Sequence, residues 1–200
     1  MKLYCATGNP GKLREFRMAA AESGLELEML PRFRDLPRCE ETGRTFRENA
    51  IQKAMHYGRY ADGPLFADDS GLEVDALGGA PGVYSARFAG AGATDEDNNR
   101  LLLEKLRGVE NRTARFVCAI ALVAGGRLLG TFRGAVEGRI IDEARGPHGF
   151  GYDPLFYYEP FGLTFGEAGN DRKMTVSHRG QALREMIAFY RNSGSSVRGS

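Results

Sequence analysis

Ala67-Asp68-Asp69-Ser70-Gly71-Leu72-Glu73-Val74-Asp75, continuing to Gly78-Gly79-Ala80-Pro81-Gly82-Val83-Tyr84-Ser85-Ala86-Arg87, is the stretch on which the reading of this chain turns. Leu65 and Phe66 lead into two adjacent carboxylates followed by Ser and Gly. That is the composition of a strand delivering polar groups where the backbone turns. Side-by-side carboxylates repel unless a cation neutralises them or one keeps its proton. Taken alone, the pair reads first as an exposed acidic turn, a common setting for Asp. The neighbours decide.

Upstream, Lys2 to Ala6 reads as a short strand, followed by Thr7-Gly8-Asn9-Pro10-Gly11-Lys12 and a helix over 13–23 with Leu13, Phe16 and Ala20 at helical spacing. Asn9 suits the N-cap and Pro10 the first helical position. A Gly-bearing turn at a helix start is a general anion site, because unpaired N–H groups and the helix dipole converge there. Gly8 and Gly11 are too close for a Walker A loop, and Leu13 supplies no hydroxyl. An ordinary strand-to-helix turn is the alternative. After a strand over 25–30 and a connector over 31–37 comes a second acidic pair at a turn, Glu40-Glu41-Thr42-Gly43. Thr45 and Glu48 have capping-box spacing and open a helix over 45–60, which assigns Glu48 a structural task. Phe46, Ala50, Ala54 and Tyr57 make its packing face, while Asn49 and Lys53 share another with Gln52 and His56. By spacing alone Lys53 is a solvated helix lysine as readily as a phosphate ligand.

Downstream, Pro81 to Ala86 fits a short helical turn. Thr94 caps a helix over 94–107 whose first turn holds Asp95, Glu96 and Asp97, where the dipole favours acids, so this run needs no metal. Strands over 114–124 and 127–141 meet at the hairpin signal Gly125-Gly126. His148-Gly149-Phe150-Gly151-Tyr152-Asp153-Pro154-Leu155-Phe156 is a Gly-punctuated aromatic loop. Residues 159–175, with Lys173, read as the least regular part. Ser177-His178-Arg179-Gly180 opens a last helix running to about Tyr190. The folded domain is expected over 1–191, with a Ser/Gly-rich disordered tail over 192–200. His178 and Arg179 sit in a first turn where positive charge opposes the dipole, a placement that a ligand rich in acceptor oxygens would justify.

Composition bounds the class. Two hundred residues, 42% hydrophobic and 26% charged, suit one globular domain or two tightly joined lobes. A net charge of +1 offers no global field for nucleic acid or an anionic membrane, so anion recognition has to be local. No apolar run approaches the roughly 20 residues of a membrane span, and Met1 to Cys5 reads as a strand rather than a signal peptide. Cys5, Cys39 and Cys118 are odd in number and far apart, and two lie in apolar strands, which reads as free thiols in a reducing compartment, the cytoplasm.

Two acidic pairs for Mg²⁺, amides and lysines for phosphates, and a planar ring to stack a base make a nucleotide site. His56, His148 and His178 lie in different elements, and no Cys/His group has zinc spacing. No Gly-x-Ser-x-Gly nucleophile motif occurs. Thr7-Gly8-Asn9-Pro10-Gly11-Lys12, Glu41-Thr42-Gly43, Thr45-Phe46-x-Glu48-Asn49-Ala50-x-x-Lys53-Ala54, the stretches 67–72 and 78–87, Phe150-Gly151-Tyr152-Asp153-Pro154 and Ser177-His178-Arg179-Gly180-Gln181-Ala182-Leu183 resemble, in that order, the inosine/xanthosine triphosphate pyrophosphatase family. The resemblance spans nearly the whole chain.

It implies an α/β fold with a long mixed β-sheet and flanking helices, two lobes with a central active-site cleft, and a homodimer. It implies Mg²⁺-dependent hydrolysis of ITP, dITP or XTP to the monophosphate and pyrophosphate. Thr7, Gly8, Asn9, Pro10, Gly11 and Lys12 would hold the triphosphate with Lys53. Glu41 and Asp69 would bind metal, and Asp69 would activate water. The adjacent Asp68 stays an alternative base, because neighbouring carboxylates can exchange roles around one ion. Ser70 would contact substrate. Phe150, Gly151, Tyr152 and Asp153 would form the base and sugar side, with Phe150 stacking, and Lys173, His178 and Arg179 would complete the pocket around a 6-keto purine. His148 departs from the glycine common at that place in the family, and 159–172 lacks the family's Glu/Lys-rich pattern. Rival readings are a pyrophosphatase for pyrimidine or modified nucleotides, a nucleotide- or RNA-binding module, and an aspartate-nucleophile phosphatase.

Overall fold

The computed structural model describes residues 2–21 and 23–196. Seven strands form one sheet in the order β2-β1-β3-β4-β5-β6-β7, with β1 Lys2–Cys5, β2 Glu26–Met29, β3 Leu65–Val74, β4 Thr113–Ala124, β5 Arg127–Ile140, β6 Phe156–Tyr158 and β7 Leu163–Thr164. β1 pairs in parallel with β2 and β3, whereas β5–β6 and β6–β7 are antiparallel. The sheet is therefore mixed, as expected, and helices α1 Pro10–Ala21, α2 Phe46–Tyr57, α3 Asp95–Lys105, α4 Phe165–Val176 and α5 His178–Ser196 accompany it.

The chain divides into two compact units. One comprises the residues up to Asp69, Cys118–Gly134 and those from His178 onward; the other comprises Ser70–Val117 and Ala135–Ser177. The first has a core of Leu3, Cys5, Phe16, Phe66, Cys118, Ile120, Leu122, Leu183 and Met186. The second is built on Leu72, Leu102, Phe116, Leu155, Phe156 and Phe165, with the Phe116 and Phe156 ring centroids 4.5 Å apart. β4 carries a nearly continuous buried run from Phe116 to Val123, the pattern of an interior strand. It turns into β5 through two residues, Gly125 and Gly126, with φ of 55° and 74°. A two-residue hairpin with both φ positive matches the right-handed strand twist, and glycine takes that backbone without a Cβ penalty.

Three expectations change. The segment 159–175 is ordered: a 3-10 turn at Glu159–Phe161, then β7, then α4, kinked at Gly169. Thr164 and Glu167 cap α4 reciprocally, and buried Phe165 anchors it, so a local cap outweighs the glycines that made the stretch look irregular. Thr45 caps α2 by accepting from Glu48 N, but the Glu48 carboxylate reaches back to Arg44 N at 2.6 Å rather than to Thr45 N, which leaves half a capping box. The last helix continues to Ser196, so 192–196 are helical, and 197–200 lie outside the described residues. No helix among the described residues is long and apolar enough to cross a membrane.

Candidate active site

β1 runs out at Cys5, and α1 starts five residues later at Pro10. Asn9 Oδ1 accepts from Lys12 N at 3.0 Å and so caps α1, while Thr7 Oγ1 accepts from Asn9 N at 3.2 Å. The loop thus satisfies one helix N–H with a side chain and keeps an N-terminus directed at whatever lies beyond it. Lys12, in the first turn, places Nζ 2.7 Å from Asp68 Oδ2 on β3. The sequence motif and the acidic pair meet here.

Asp68 and Asp69 lie inside β3, which continues to Val74, rather than where the strand turns, and both are buried, 3% and 6% exposed, so neither a strand end nor an exposed acidic turn describes them. Each has its own cation. Lys53 Nζ on α2 lies 3.1 Å from Asp69 Oδ1 and 3.1 Å from Glu41 Oε2. The helix lysine is therefore not simply solvated: it joins the two carboxylates on which the resemblance places a metal. Asn49, one helical turn earlier on the same face, donates from Nδ2 to Asp69 Oδ2 at 3.0 Å and accepts from Gly43 N at 2.8 Å on Oδ1. One buried amide thereby ties the Glu41 loop to the Asp69 carboxylate.

The two aspartates titrate in opposite senses. Burial pushes Asp69 up, and Lys53, Lys12 and the Asn49 hydrogen bond only partly offset this. At Asp68 burial acts the same way, but Lys12, Lys53 and Arg179 outweigh it and hold the carboxyl below its usual value. Burial would lower Lys53, yet Asp69, Asp68 and Glu41 raise it, so the ammonium stays charged. As a donor set for Mg²⁺ the arrangement fits: two hard carboxylate oxygens converge on one cationic point. Among the described residues no group of three or more His, Cys, Asp or Glu gathers. Mg²⁺ tolerates that, since it keeps waters and substrate phosphate oxygens in its shell.

Arg179, in the first turn of α5, is 5% exposed, and its Nη1 donates to Glu15 of α1 at 2.8 Å; Glu15 is 1% exposed. The guanidinium also bears electrostatically on Asp68. Its charge at a helix start is thus balanced by protein carboxylates, one of which sequence reading did not single out. His178 is equally buried.

The second unit holds the remaining candidates. Ser70 is half-buried on β3, next to Gly71, where a Cβ would collide with Ser85 Oγ, so the strand passes close over the 78–87 stretch. Phe150 is half-buried, and Lys173 Nζ sits 5.2 Å from its ring centroid. Lys173 is 1% exposed and pairs with Asp153 at 2.6 Å, and Asp153 Oδ2 also accepts from Phe150 N at 3.0 Å. Tyr152 is buried and its hydroxyl donates to Ser85 O at 2.7 Å, which makes it a strut of the loop. Gly151 is held by Asp95 and Asn99 of α3; the sequence reading gave Asp95 only to the helix dipole and left Asn99 out. His148 is exposed and contributes a backbone hydrogen bond to Gly166 O. Two cavities of about 610 and 450 Å³ share Arg112 and Asp142 and include none of these residues.

Comparison with known proteins supplies the rest. Residues 3–189 match the model of the Ham1 family. A protein named dITP/XTP pyrophosphatase from an Exiguobacterium strain is 53% identical over 188 residues, covering 94% of this chain and 96% of its own. One of the same name from Thermus thermophilus is 47% identical over 194 residues, with 96% and 93% covered. The structure of the Staphylococcus aureus Ham1 protein superposes with a TM-score of 0.85 at 37% identity, covering 96% of this chain and all of that one.

Proposed function

The chain belongs to the Ham1 family, and on that premise we propose that it hydrolyses non-standard purine nucleoside triphosphates, ITP, dITP and XTP, to the nucleoside monophosphate and pyrophosphate. The observation that carries this reading is the pair Glu41 and Asp69 sharing Lys53, with Lys12 and the capped start of α1 beside the neighbouring Asp68. Dedicated groups for a divalent cation and for phosphates are what cleavage of a phosphoanhydride needs.

Water attacks the α-phosphorus, the bond from that phosphorus to the bridging oxygen breaks, and pyrophosphate leaves. Asp69 takes the proton of the attacking water. Of the adjacent carboxylates it suits the base, since it shares Lys53 with Glu41, the other residue that would hold Mg²⁺, while Asp68 is tied to Lys12. Lys12, Lys53 and the first N–H groups of α1 stabilise the charge that develops on the phosphates. Glu41 and Asp69 would hold Mg²⁺, which when bound neutralises phosphate charge and orients water. Phe150 stacks on the purine. His178 and Arg179 donate toward O6, and adenine, with an amino group there, leaves such donors unpaired, which can discriminate by large factors.

The reading extends to a cytoplasmic homodimer that clears these nucleotides from the pool. Support for the compartment is that Cys5, Cys39 and Cys118 are free thiols; support for the dimer is the family resemblance. The test is product identity with ITP and Mg²⁺ for wild type and Asp69→Asn. Wild type should release pyrophosphate, and the variant should lose about 10²- to 10⁴-fold in kcat while still binding ITP. Turnover confined to dTTP and UTP supports the pyrimidine reading instead, orthophosphate as product a phosphatase, and undiminished turnover removes Asp69 from the mechanism.

A further inference from the structure

We propose that Asp95 and Asn99 of α3 are positioning residues for recognition of the substrate base, clamping Gly151 and thereby setting the Phe150 ring. A carboxylate in the first turn of a helix interacts with the dipole whatever else it does, and two members of the Asp95-Glu96-Asp97 run stay within their own helix. Asp97 closes the capping box on Thr94 and pairs with Arg100 at 2.6 Å, and Glu96, exposed as Asp95 is, reaches no other element among the described residues. Asp95 differs: its Oδ2 accepts from Gly151 N at 2.7 Å across 56 residues of chain. One turn later, Asn99 Nδ2 donates to Gly151 O at 3.0 Å. Both polar groups of one backbone residue are therefore held by side chains four apart on one helix face.

The choice of residue matters. Gly151 has φ of 62° and no side chain with which to anchor itself. On its other side Phe150 N donates to Asp153 Oδ2 at 3.0 Å. The backbone flanking the ring cannot rotate without breaking one of these three hydrogen bonds, two of which end on carboxylates and are charge-assisted. The inference rests on the reading of Phe150 as the stacking residue. A base meeting a ring already in place loses less freedom on binding than one that has to order the loop first. Loosening the clamp therefore weakens binding and leaves chemistry at the α-phosphorus alone.

Asp95→Ala, Asp95→Asn and Asn99→Ala test this against Glu96→Ala, which removes a first-turn charge without touching Gly151. Asp95→Ala should raise KM for ITP about ten-fold, the size of one charge-assisted hydrogen bond, with kcat within about two-fold. Asp95→Asn keeps an acceptor oxygen and should stay near wild type; Asn99→Ala should fall between. In substrate-free protein, amide exchange at Gly151 should speed up about ten-fold in Asp95→Ala and not in Glu96→Ala. A KM that moves equally in Glu96→Ala and Asp95→Ala overturns the proposal, as does a fall in kcat at constant KM. Unchanged exchange at Gly151 removes the clamp itself, whatever the activity. Faster exchange in a protein whose wild type releases no pyrophosphate from ITP removes the premise instead.

Discussion

The Glu15–Arg179 pair makes a quantitative prediction about stability. Both groups are at least nine-tenths buried, they meet at 2.8 Å, and they join α1 to α5 beside Phe16, Ala182 and Leu183. Removing one partner of a buried pair strands the other charge and costs about 3–5 kcal/mol, whereas replacing both with apolar groups of similar size is often near neutral. The two single substitutions are not equivalent here. In Glu15→Leu, Arg179 still has Asp68 as a counter-charge, so a loss of about 3 kcal/mol is expected. In Arg179→Met, Glu15 loses its 2.8 Å partner and Asp68 loses one of the cations that hold it low, which moves the loss to about 5 kcal/mol. The double variant should lose no more than about 4 kcal/mol, well short of the additive sum of about 8. For a protein of this length about 3 kcal/mol corresponds to a fall in Tm of roughly 6–12 °C. The chain has no Trp, so urea unfolding is best followed by circular dichroism. Losses below about 1 kcal/mol in Glu15→Leu, or a double variant equal to the sum of the singles, would refute the coupling.

Two further outcomes follow from the same electrostatics and packing. Asp68 has a folded pKa below its usual 3.8, because its cations outweigh burial, so its contribution to stability is full above that value and is lost as pH falls through the lower folded one. Lys12→Met removes the nearest of those cations and should flatten the fall of stability below about pH 4, measured by urea titrations at several pH values. Asp69, raised by burial, runs the other way: its contribution is full below the usual value and lost as pH rises through the folded one. Tyr152→Phe removes the donor to Ser85 O and should cost about 1–2 kcal/mol in urea unfolding. A cost below about 0.5 kcal/mol would show that the hydroxyl is no strut of the loop.

Much of the fold was legible because the signals were local. Asn9 and Pro10 announced α1, Thr94 announced α3, and Gly125-Gly126 announced the β4–β5 hairpin; each is a backbone preference expressed within a few residues. The stretch 159–175 misled because glycines dominate a composition reading, while the capping pair Thr164 and Glu167 and the buried Phe165 decide the structure. At the site, residue types were legible and partners were not. Nothing near Glu15 points to Arg179, which lies 164 positions away. Asp95 was accounted for by the dipole, so its reach to Gly151 had no sequence signal at all.

The chain by itself determined which groups it has to dispose of: two acidic pairs, a lysine after a glycine turn, an aromatic loop, and cations at a helix start. Strand and helix periods set which way these side chains point, because side-chain direction follows backbone geometry, although Asp68 and Asp69 lie inside β3 rather than at its end. Only the tertiary structure decided which charge neutralises which. Lys12 takes Asp68, Lys53 is shared by Asp69 and Glu41, Arg179 takes Glu15 and Lys173 takes Asp153. Adjacent in sequence and alike in chemistry, Asp68 and Asp69 differ in those partners and in the Asn49 hydrogen bond that only Asp69 accepts. Burial raises both carboxyls, and the balance of nearby cations, set by residues far along the chain, leaves one low and the other high.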